Sequence, residues 1–311
     1  MPEDRGPAWF EEALATPVRE RWTSSAGTDI HYLEWGSRGQ PGLLFVHGGA
    51  AHAHWWSFLA PMFATDWHAV ALDLSGHGES GRREEYSHEA WADEVLAVTE
   101  AAGFPGPPVV VGHSLGGMVT IQTAATYGDR LAGAVIVDAP VRRPDPESEE
   151  GARGRAFRFP GVYPDLETAV AHFRLIPPQP CDNDFILDYV GRHSLHETDK
   201  GWTWKFDPRL FRHTLVPLRD QLAAVRCRVA LLRGELSVVV PEDTADYMYG
   251  LMGRNAPVVS IPQAYHHLTL DQPLAFVASL RTLLADWEHS IPRRPAQLDE
   301  PGSHADRAAT S

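Results

Sequence analysis

The stretch VVVGHSLGGMV, Val109 to Val119, decides the fold that we predict for this chain. Its three valines are typical of a buried strand, and the small and apolar residues from Leu115 onward favour a helix. Between the two lies a Gly-x-Ser-x-Gly pattern centred on Ser114. A nucleophilic serine needs a sharp turn that exposes its hydroxyl at the end of a strand, and flanking glycines let neighbouring backbone approach that turn. The pattern therefore predicts that Ser114 is a nucleophile.

Apolar runs of similar length recur along the chain. They are LLFV before His47, HAVALD ending at Asp73, AGAVIVD ending at Asp138, RVALL before Arg233 and PVVSI ending at Ile261. Runs that are apolar on both faces suit buried parallel strands, and helical patterns lie between several of them. This alternation predicts an α/β fold, with a mostly parallel sheet and helices on both of its faces.

The alternation breaks between residues 141 and 224. The segment opens with a polar, proline-rich stretch and continues with many aromatic residues, among them Trp202 and Trp204. Helices are expected in DLETAVAHF, where Asp165 can act as the N-cap, and in DNDFILDYVGRH. We interpret the segment as an inserted, mainly helical cap.

These changes in composition divide the chain into four parts. Residues 1–140 and 225–289 are interpreted as two parts of one α/β core, interrupted by the cap at 141–224. Residues 290–311 have few apolar side chains to bury, so we expect a disordered tail there. A chain of 311 residues is long enough for one large core with such an insertion.

The composition argues against several classes of function. Acidic residues outnumber basic ones by 41 to 27, for a formal net charge of −14, so a nucleic acid partner is not expected. The two cysteines, Cys181 and Cys227, suit neither a disulfide framework nor a zinc site, and no metal or organic cofactor is implied. The sequence contains no recognisable secretory signal and no apolar run of the roughly 20 residues that span a bilayer. We therefore expect a soluble, cytoplasmic protein without a membrane partner.

Three further segments match a known pattern in the order that it requires. They are HGGAAHAHWW (His47 to Trp56), DLSGHGES (Asp73 to Ser80) and AYHHLTLDQP (Ala264 to Pro273). Together with the serine turn, they make the chain resemble the α/β-hydrolase superfamily, of the capped, single-chain serine esterase or lactonase type. The resemblance covers Glu20 to Trp287 and implies a mostly parallel sheet of eight strands with an inserted cap.

The resemblance also implies the general base. The family histidine precedes an apolar stretch and a helix start, and this position aligns with His266. His267 is the alternative, because Tyr265 stands where the family usually has a glycine. The aspartate and proline that follow, Asp271 and Pro273, suit a helix start better than catalysis.

The oxyanion hole follows from the same resemblance. Its two backbone N–H donors are implied to be those of Leu115, after the nucleophile, and of Gly49, with Ala50 as a neighbouring candidate. Residues beside these loops or in the aromatic part of the cap are interpreted as candidates for the substrate pocket: His54, Trp56, His113, Trp202 and Trp204.

The third catalytic group is the open question in the sequence. A neutral imidazole base needs an acceptor on its other nitrogen, and the family usually supplies a carboxylate a few residues after Gly234. In this chain Ser237 and Val238 occupy that place. The other geometry known in the family uses the end of the sixth strand, where this chain has Asp138. We therefore interpret Asp138 as the acid, although an aspartate at this strand end can also be structural.

These residues predict hydrolysis of a small, apolar carboxylic ester or lactone through an acyl-enzyme. Hydrolysis of a carbon–carbon bond on the same triad is an alternative. A different class of function is a ligand-binding relative in which the relay is broken because the usual acid is absent. The distance between the Asp138 carboxylate and a ring nitrogen of His266 discriminates between hydrolysis and binding, since hydrolysis requires hydrogen-bond reach.

Overall fold

The computed structural model of the protein describes residues 6–143, 161–212 and 217–290. Residues 291–311, nearly all of the predicted tail, lie outside the described residues. The same holds for 144–160 and 213–216 within the predicted cap.

The described residues contain one large sheet and one separate hairpin. The strands are β1 (Arg19–Ser25), β2 (Thr28–Trp35), β3 (Gly42–Val46), β4 (His68–Leu72), β5 (Val109–His113), β6 (Gly133–Val137), β7 (Leu195–Thr198), β8 (Gly201–Trp204), β9 (Arg228–Gly234) and β10 (Val258–Ile261). Eight of them form one sheet in the order β1-β2-β4-β3-β5-β6-β9-β10. Strand β2 pairs antiparallel with β1 and β4, and the other pairs of this sheet are parallel. The predicted fold class, a mostly parallel eight-stranded sheet, is confirmed.

Helices cover both faces of the sheet. The α-helices among the described residues are α1 (Ala8–Leu14), α2 (His88–Ala102), α3 (Leu115–Tyr127), α4 (Leu166–Ala171), α5 (Asp184–His193), α6 (Arg219–Ala223), α7 (Glu242–Leu251), α8 (Leu268–Asp271) and α9 (Pro273–His289). Short 3-10 helices occur at Ala53–Trp56, Ala60–Phe63, Gly128–Arg130 and Pro208–Arg212.

Strand β3 illustrates why the sheet needs cover on both faces. Successive side chains of a strand point to opposite faces. Leu43 and Phe45 belong to an apolar cluster that includes residues of α9, whereas Leu44 and Val46 belong to a cluster with residues of α2 and α3. Each such buried side chain stabilises the fold by about 1.5–3 kcal/mol. The sheet is therefore covered on both faces. Because β3, β5, β6 and β9 are parallel, the loops that follow them lie at the same edge of the sheet.

An insertion lies between β6 and β9, and it contains the predicted cap. The two helices expected from the sequence are present as α4 and α5, and the Asp165 carboxylate caps α4 by accepting from the backbone N–H of Thr168 at 2.8 Å. The β7–β8 hairpin, which carries Trp202 and Trp204, was not predicted. Gly201, with a φ of 120°, closes its turn.

Candidate active site

Ser114 is the single residue between the end of β5 and the start of α3. Its backbone has φ 54° and ψ −117°, a conformation that L-residues rarely adopt. The turn is tight because a Cβ at Gly116 would lie 2.3 Å from the carbonyl oxygen of Val46 in β3. Only glycine fits there, which explains the spacing of the pattern. Ser114 is half-buried at the end of the strand.

The structure brings Ser114, His266 and Asp138 into one hydrogen-bonded chain. The Oγ atom of Ser114 lies 3.0 Å from Nε2 of His266, and Nδ1 of His266 lies 2.7 Å from Oδ2 of Asp138. A carboxylate only accepts hydrogen bonds, so Nδ1 carries the proton of the neutral ring and Nε2 presents a lone pair to the serine hydroxyl. This is the tautomer that a general base for a serine requires.

Asp138 is the first residue after β6 and is fully buried. Its φ of 47° turns the carboxylate out of the strand direction and towards the histidine. Besides His266, it accepts from the backbone N–H of Gly234 at 3.0 Å and from the hydroxyl of Ser237 at 2.5 Å. These donors stabilise the ionised carboxylate inside the protein. Ser237, which takes the place of the usual acid in the sequence, thus contacts the acid that we assigned instead.

The loop after β3 passes directly against Ser114. A Cβ at Gly48 would lie 3.4 Å from the Cβ of Ser114. His47 fixes the loop, because its Nδ1–H donates to the carbonyl of Gly48 at 2.7 Å and its Nε2 accepts from the N–H of Leu74 at 3.0 Å. Gly49 is half-buried beside this turn, as is Leu115 at the start of α3. The two residues predicted to form the oxyanion hole therefore belong to segments that meet at Ser114.

Two further histidines pack around His266. His113 donates from Nε2 to the backbone carbonyl of His266 at 2.9 Å, and His267 donates from Nε2 to the carbonyl of Ile176 at 3.1 Å. Burial lowers the pKa of His113 to about 3 and that of His267 well below its ordinary value of 6.5. Both rings are therefore neutral near pH 7. Of the two candidates for the base, His266 is the one that contacts Ser114.

The ring nitrogens of His113, His266 and His267 lie within 4.8 Å of one another, close enough to be considered as metal ligands. Both nitrogens of His266, however, are engaged by Asp138 and Ser114. A metal ion at this cluster would have to displace the serine contact.

Comparisons with known proteins identify the family of the chain. The alpha/beta hydrolase family model matches residues 43–280 of the chain. This chain belongs to the alpha/beta hydrolase family. An esterase of Mycobacterium tuberculosis, Rv0045c, is 28% identical over 279 residues, 86% of this chain and 90% of that protein. A pimeloyl-[acyl-carrier protein] methyl ester esterase of Chromobacterium violaceum is 26% identical over 253 residues, 77% of this chain and 92% of that protein.

Solved structures of alpha/beta hydrolases support the fold. E-2-(acetamidomethylene)succinate hydrolase has a TM-score of 0.76 at 22% sequence identity, with 86% of this chain and all of that chain covered. Among the described residues, no helix has the length and apolar character needed to cross a membrane.

In this hydrolase, two of the residues predicted to line the pocket, Trp56 and His113, are almost completely buried. Trp56 is 2% exposed and packs in the core against Phe45 and Phe276, so the structure does not support a pocket role for it. His113 is buried, and its Nε2–H donates to the backbone carbonyl of His266 at 2.9 Å, so it supports the loop that carries His266. Trp55 was not predicted to lie near the site, but its ring centroid is 5.5 Å from that of His267, the residue after His266.

The other predicted pocket residues join the loop after β3 to the insertion or lie within the insertion. Nδ1 of His54 lies 3.2 Å from the hydroxyl oxygen of Tyr189 in α5, within hydrogen-bond distance. Trp204 packs against Phe173, with ring centroids 6.0 Å apart, and Trp202 pairs through its backbone with Tyr163. His54, Trp202 and Trp204 thus all contact residues of the insertion.

A second set of contacts ties the histidine loop of the hydrolase to the insertion. Gln179 donates to both carboxylate oxygens of Asp271 at 2.9 Å and accepts from the backbone N–H of His267 at 2.9 Å. Asp271 also accepts from the N–H of Tyr265 at 2.8 Å, and burial raises its pKa to about 6. Asp271 therefore holds the loop that carries His266, which agrees with its interpretation as a structural residue.

Proposed function

We propose that this protein is a serine hydrolase that cleaves a carboxylic ester or a lactone through an acyl-enzyme. The observation that carries the proposal is the continuous hydrogen-bonded chain from Ser114 through His266 to Asp138. A ligand-binding relative with a broken relay would not need the carboxylate within 2.7 Å of the imidazole. The names of the two esterases that align over most of the chain also support ester hydrolysis.

The geometry suggests the order of proton transfers. Ser114 Oγ attacks the substrate carbonyl while its proton passes to Nε2 of His266. The imidazolium is stabilised by Asp138, and its proton then passes to the leaving alkoxide as the tetrahedral intermediate collapses to the acyl-enzyme. A water molecule then attacks the acyl carbonyl while it loses a proton to Nε2 of His266. As the second tetrahedral intermediate collapses, the acid is released and the proton passes from His266 to Ser114 Oγ.

We assign the oxyanion hole to the backbone N–H groups of Leu115 and Gly49. Negative charge develops on the carbonyl oxygen during attack, and each fixed donor lowers the barrier by roughly 3 kcal/mol. The neighbouring imidazoles of His113 and His267 are neutral, so they do not repel the imidazolium that forms at His266.

We further propose that the insertion is a cap, spanning 141–224, which closes over the serine and selects a small, apolar substrate. Its contacts support this assignment, since Gln179 of the insertion bonds to the loop that carries His266. Aromatic side chains such as Phe173 and Trp204 provide the apolar surface.

Cys181 and Cys227 are both unpaired thiols, which favours a reducing compartment such as the cytoplasm.

The experiment is a pre-steady-state assay with p-nitrophenyl acetate. We expect a burst of about one p-nitrophenolate per enzyme, because acylation releases the alcohol before water releases the acid. Intact mass in the burst phase should show one acyl group, located on Ser114 by peptide mapping. The substrate class is then defined by the rates of hydrolysis of p-nitrophenyl esters of increasing chain length and of γ- and δ-lactones. The acid released from the lactones is measured by pH-stat titration.

Matched serine variants make the assay specific. Ser114→Ala should lose the burst and the acyl adduct while remaining folded, whereas Ser24→Ala, at an exposed serine of β1, should behave as wild type. Turnover retained in Ser114→Ala, or an adduct on another residue, would refute the proposed nucleophile. If the wild-type protein hydrolyses no ester or lactone but binds the substrates, the ligand-binding class is the better description.

A further inference from the structure

The hydroxyl of Ser237 makes contacts that the proposed mechanism does not use. It lies 2.5 Å from Oδ2 of Asp138, the same oxygen that accepts from Nδ1 of His266 at 2.7 Å. Ser237 is 5% exposed, although it follows β9 in a loop whose next residue, Val238, is 74% exposed. The loop therefore turns this hydroxyl inward while its neighbour faces solvent.

The direction of the Ser237 hydrogen bonds is defined by its partners. Its Oγ accepts from the backbone N–H of Val239 at 3.1 Å and from that of Val240 at 3.3 Å. Since these two groups can only donate, the serine proton is left for the carboxylate of Asp138, which can only accept. A hydroxyl that accepts two hydrogen bonds is polarised into a stronger donor.

We propose that Ser237 is a positioning residue of the triad, which orients the Asp138 carboxylate and moderates the negative charge that His266 meets at Oδ2. The inference rests on the proposed function, because it assigns a role in the same relay. With Gly234 donating to Oδ1 at 3.0 Å, the carboxylate is held at both oxygens and cannot rotate away from the imidazole.

The electrostatic part of the role gives a signature that loop stability alone would not. Without the Ser237 donor, more of the negative charge on Oδ2 faces His266, and the protonated imidazole is stabilised. The acidic limb of the profile of kcat/KM against pH then moves to higher pH, because a protonated base cannot accept the serine proton. A loop that only becomes less stable would change the melting temperature and leave this limb in place.

The central test is Ser237→Ala in the full-length protein, assayed with p-nitrophenyl acetate from pH 5 to pH 9. We expect kcat/KM to fall about 10- to 100-fold, the range found when the outer hydrogen-bond partners of metal-ligating residues are removed, because Ser237 orients the Asp138 carboxylate in the same way. The acidic limb should move upward by at least half a pH unit, on the order of a threefold change in proton affinity. Ser237→Thr keeps the hydroxyl and should restore both values, whereas Val238→Ala in the same loop should not differ from wild type.

Two further measurements keep the test decisive. Ser237→Cys preserves the side-chain size but supplies only a weak donor, so it should share the shifted pH limb even if Ser237→Ala does not fold. The low-field proton NMR signal of His266 Nδ1–H should move in Ser237→Ala or Ser237→Cys, and this readout needs no turnover. It therefore separates failure of this inference from failure of the proposed function. A pH limb and an Nδ1–H signal identical to wild type in the variants would overturn the role of Ser237.

Discussion

Two aspartate–histidine pairs in this molecule share one geometry and have different surroundings. In the structural pair, Nδ1 of His31 lies 2.7 Å from Oδ2 of Asp73. In the relay pair, Nδ1 of His266 lies 2.7 Å from Oδ2 of Asp138. Both histidines and both aspartates are buried. The distance between carboxylate and imidazole therefore does not by itself make a general base.

The difference lies at the second ring nitrogen. Nε2 of His31 lies 3.1 Å from a carboxylate oxygen of Glu20, whereas Nε2 of His266 lies 3.0 Å from the hydroxyl of Ser114. A ring between two carboxylates is best served by carrying a proton on each nitrogen, and it then has no lone pair for catalysis. A ring between a carboxylate and a hydroxyl keeps its lone pair directed at the hydroxyl.

The charges around His31 agree with this reading. Burial alone lowers its pKa, but the hydrogen bond and charge of Asp73, with Glu20 and Glu79 adding, raise the pKa above its ordinary value of 6.5. Asp73 also accepts from the backbone N–H of Ala53, at 2.6 Å, and so joins β2 to the loop after β3. The structural pair thus fixes the position of the loop after β3 relative to β2.

The largest expected effect is the contrast in turnover between two aspartate variants. Asp138→Asn should lower kcat by about 10⁴-fold, because the amide favours the wrong tautomer of His266 and does not stabilise the imidazolium. Asp73→Asn should lower kcat far less, measured at a temperature where it is folded. Equal losses in the two variants would break the comparison, since the two pairs would then serve one role.

The reverse contrast is expected in stability. Asp73→Asn removes one partner of a buried ion pair and should cost about 3–5 kcal/mol in the free energy of unfolding. Asp138→Asn keeps an acceptor for its neighbours and should cost about 1–3 kcal/mol. Urea unfolding followed by circular dichroism measures both values, and a larger loss for Asp138→Asn would contradict the structural role of Asp73.

The pH dependence of stability sharpens the comparison. Since folding raises the pKa of His31, its contribution is fully present below pH 6.5 and is lost as the pH rises through the folded-state value. We therefore expect wild type to lose more stability between pH 6 and pH 9 than His31→Gln, which cannot take up the proton. Unfolding curves at the two pH values for each protein measure this difference, and parallel losses would show that His31 is not charged in the fold.

The smallest effect is expected at Asp271, outside both pairs. Its pKa is raised to about 6, so its contribution to stability is present below the ordinary value of 3.8 and is lost as the pH rises through about 6. Asp271→Asn cannot ionise and should show a flatter dependence of stability on pH between 4 and 7, with kcat within about threefold of wild type. A large fall in kcat would instead place Asp271 in the relay.

Much of this architecture could be predicted from local sequence. The serine turn, the order of serine, aspartate and histidine, and the buried parallel strands all depend on short segments whose pattern fixes their geometry. The β1–β2 hairpin was not predicted individually, because β1 is mostly exposed and both strands are rich in polar residues. The strands of the β7–β8 hairpin have only four residues each, and besides their pairing with each other Trp202 forms a bridge to Tyr163, far away in the sequence.

Side-chain direction was the harder part. Ser237 and Val238 are adjacent in a loop, and one faces Asp138 while the other faces solvent. Trp55 and Trp56 are adjacent in a 3-10 helix, and one packs near His267 while the other packs in the core. Neither difference can be read from composition or spacing, since each depends on the backbone angles of a few residues and on neighbours from distant segments.

The most direct test of the account is the rate at which a fluorophosphonate labels the protein, followed by intact mass. Wild type should gain one adduct rapidly, on Ser114, and Asp73→Asn should label at a similar rate when folded. Asp138→Asn should label slower by about three to four orders of magnitude, because the relay is then incomplete. Labelling of Asp138→Asn at the wild-type rate, or no labelling of wild type at all, would contradict the claim that Asp138, His266 and Ser114 act as one catalytic unit.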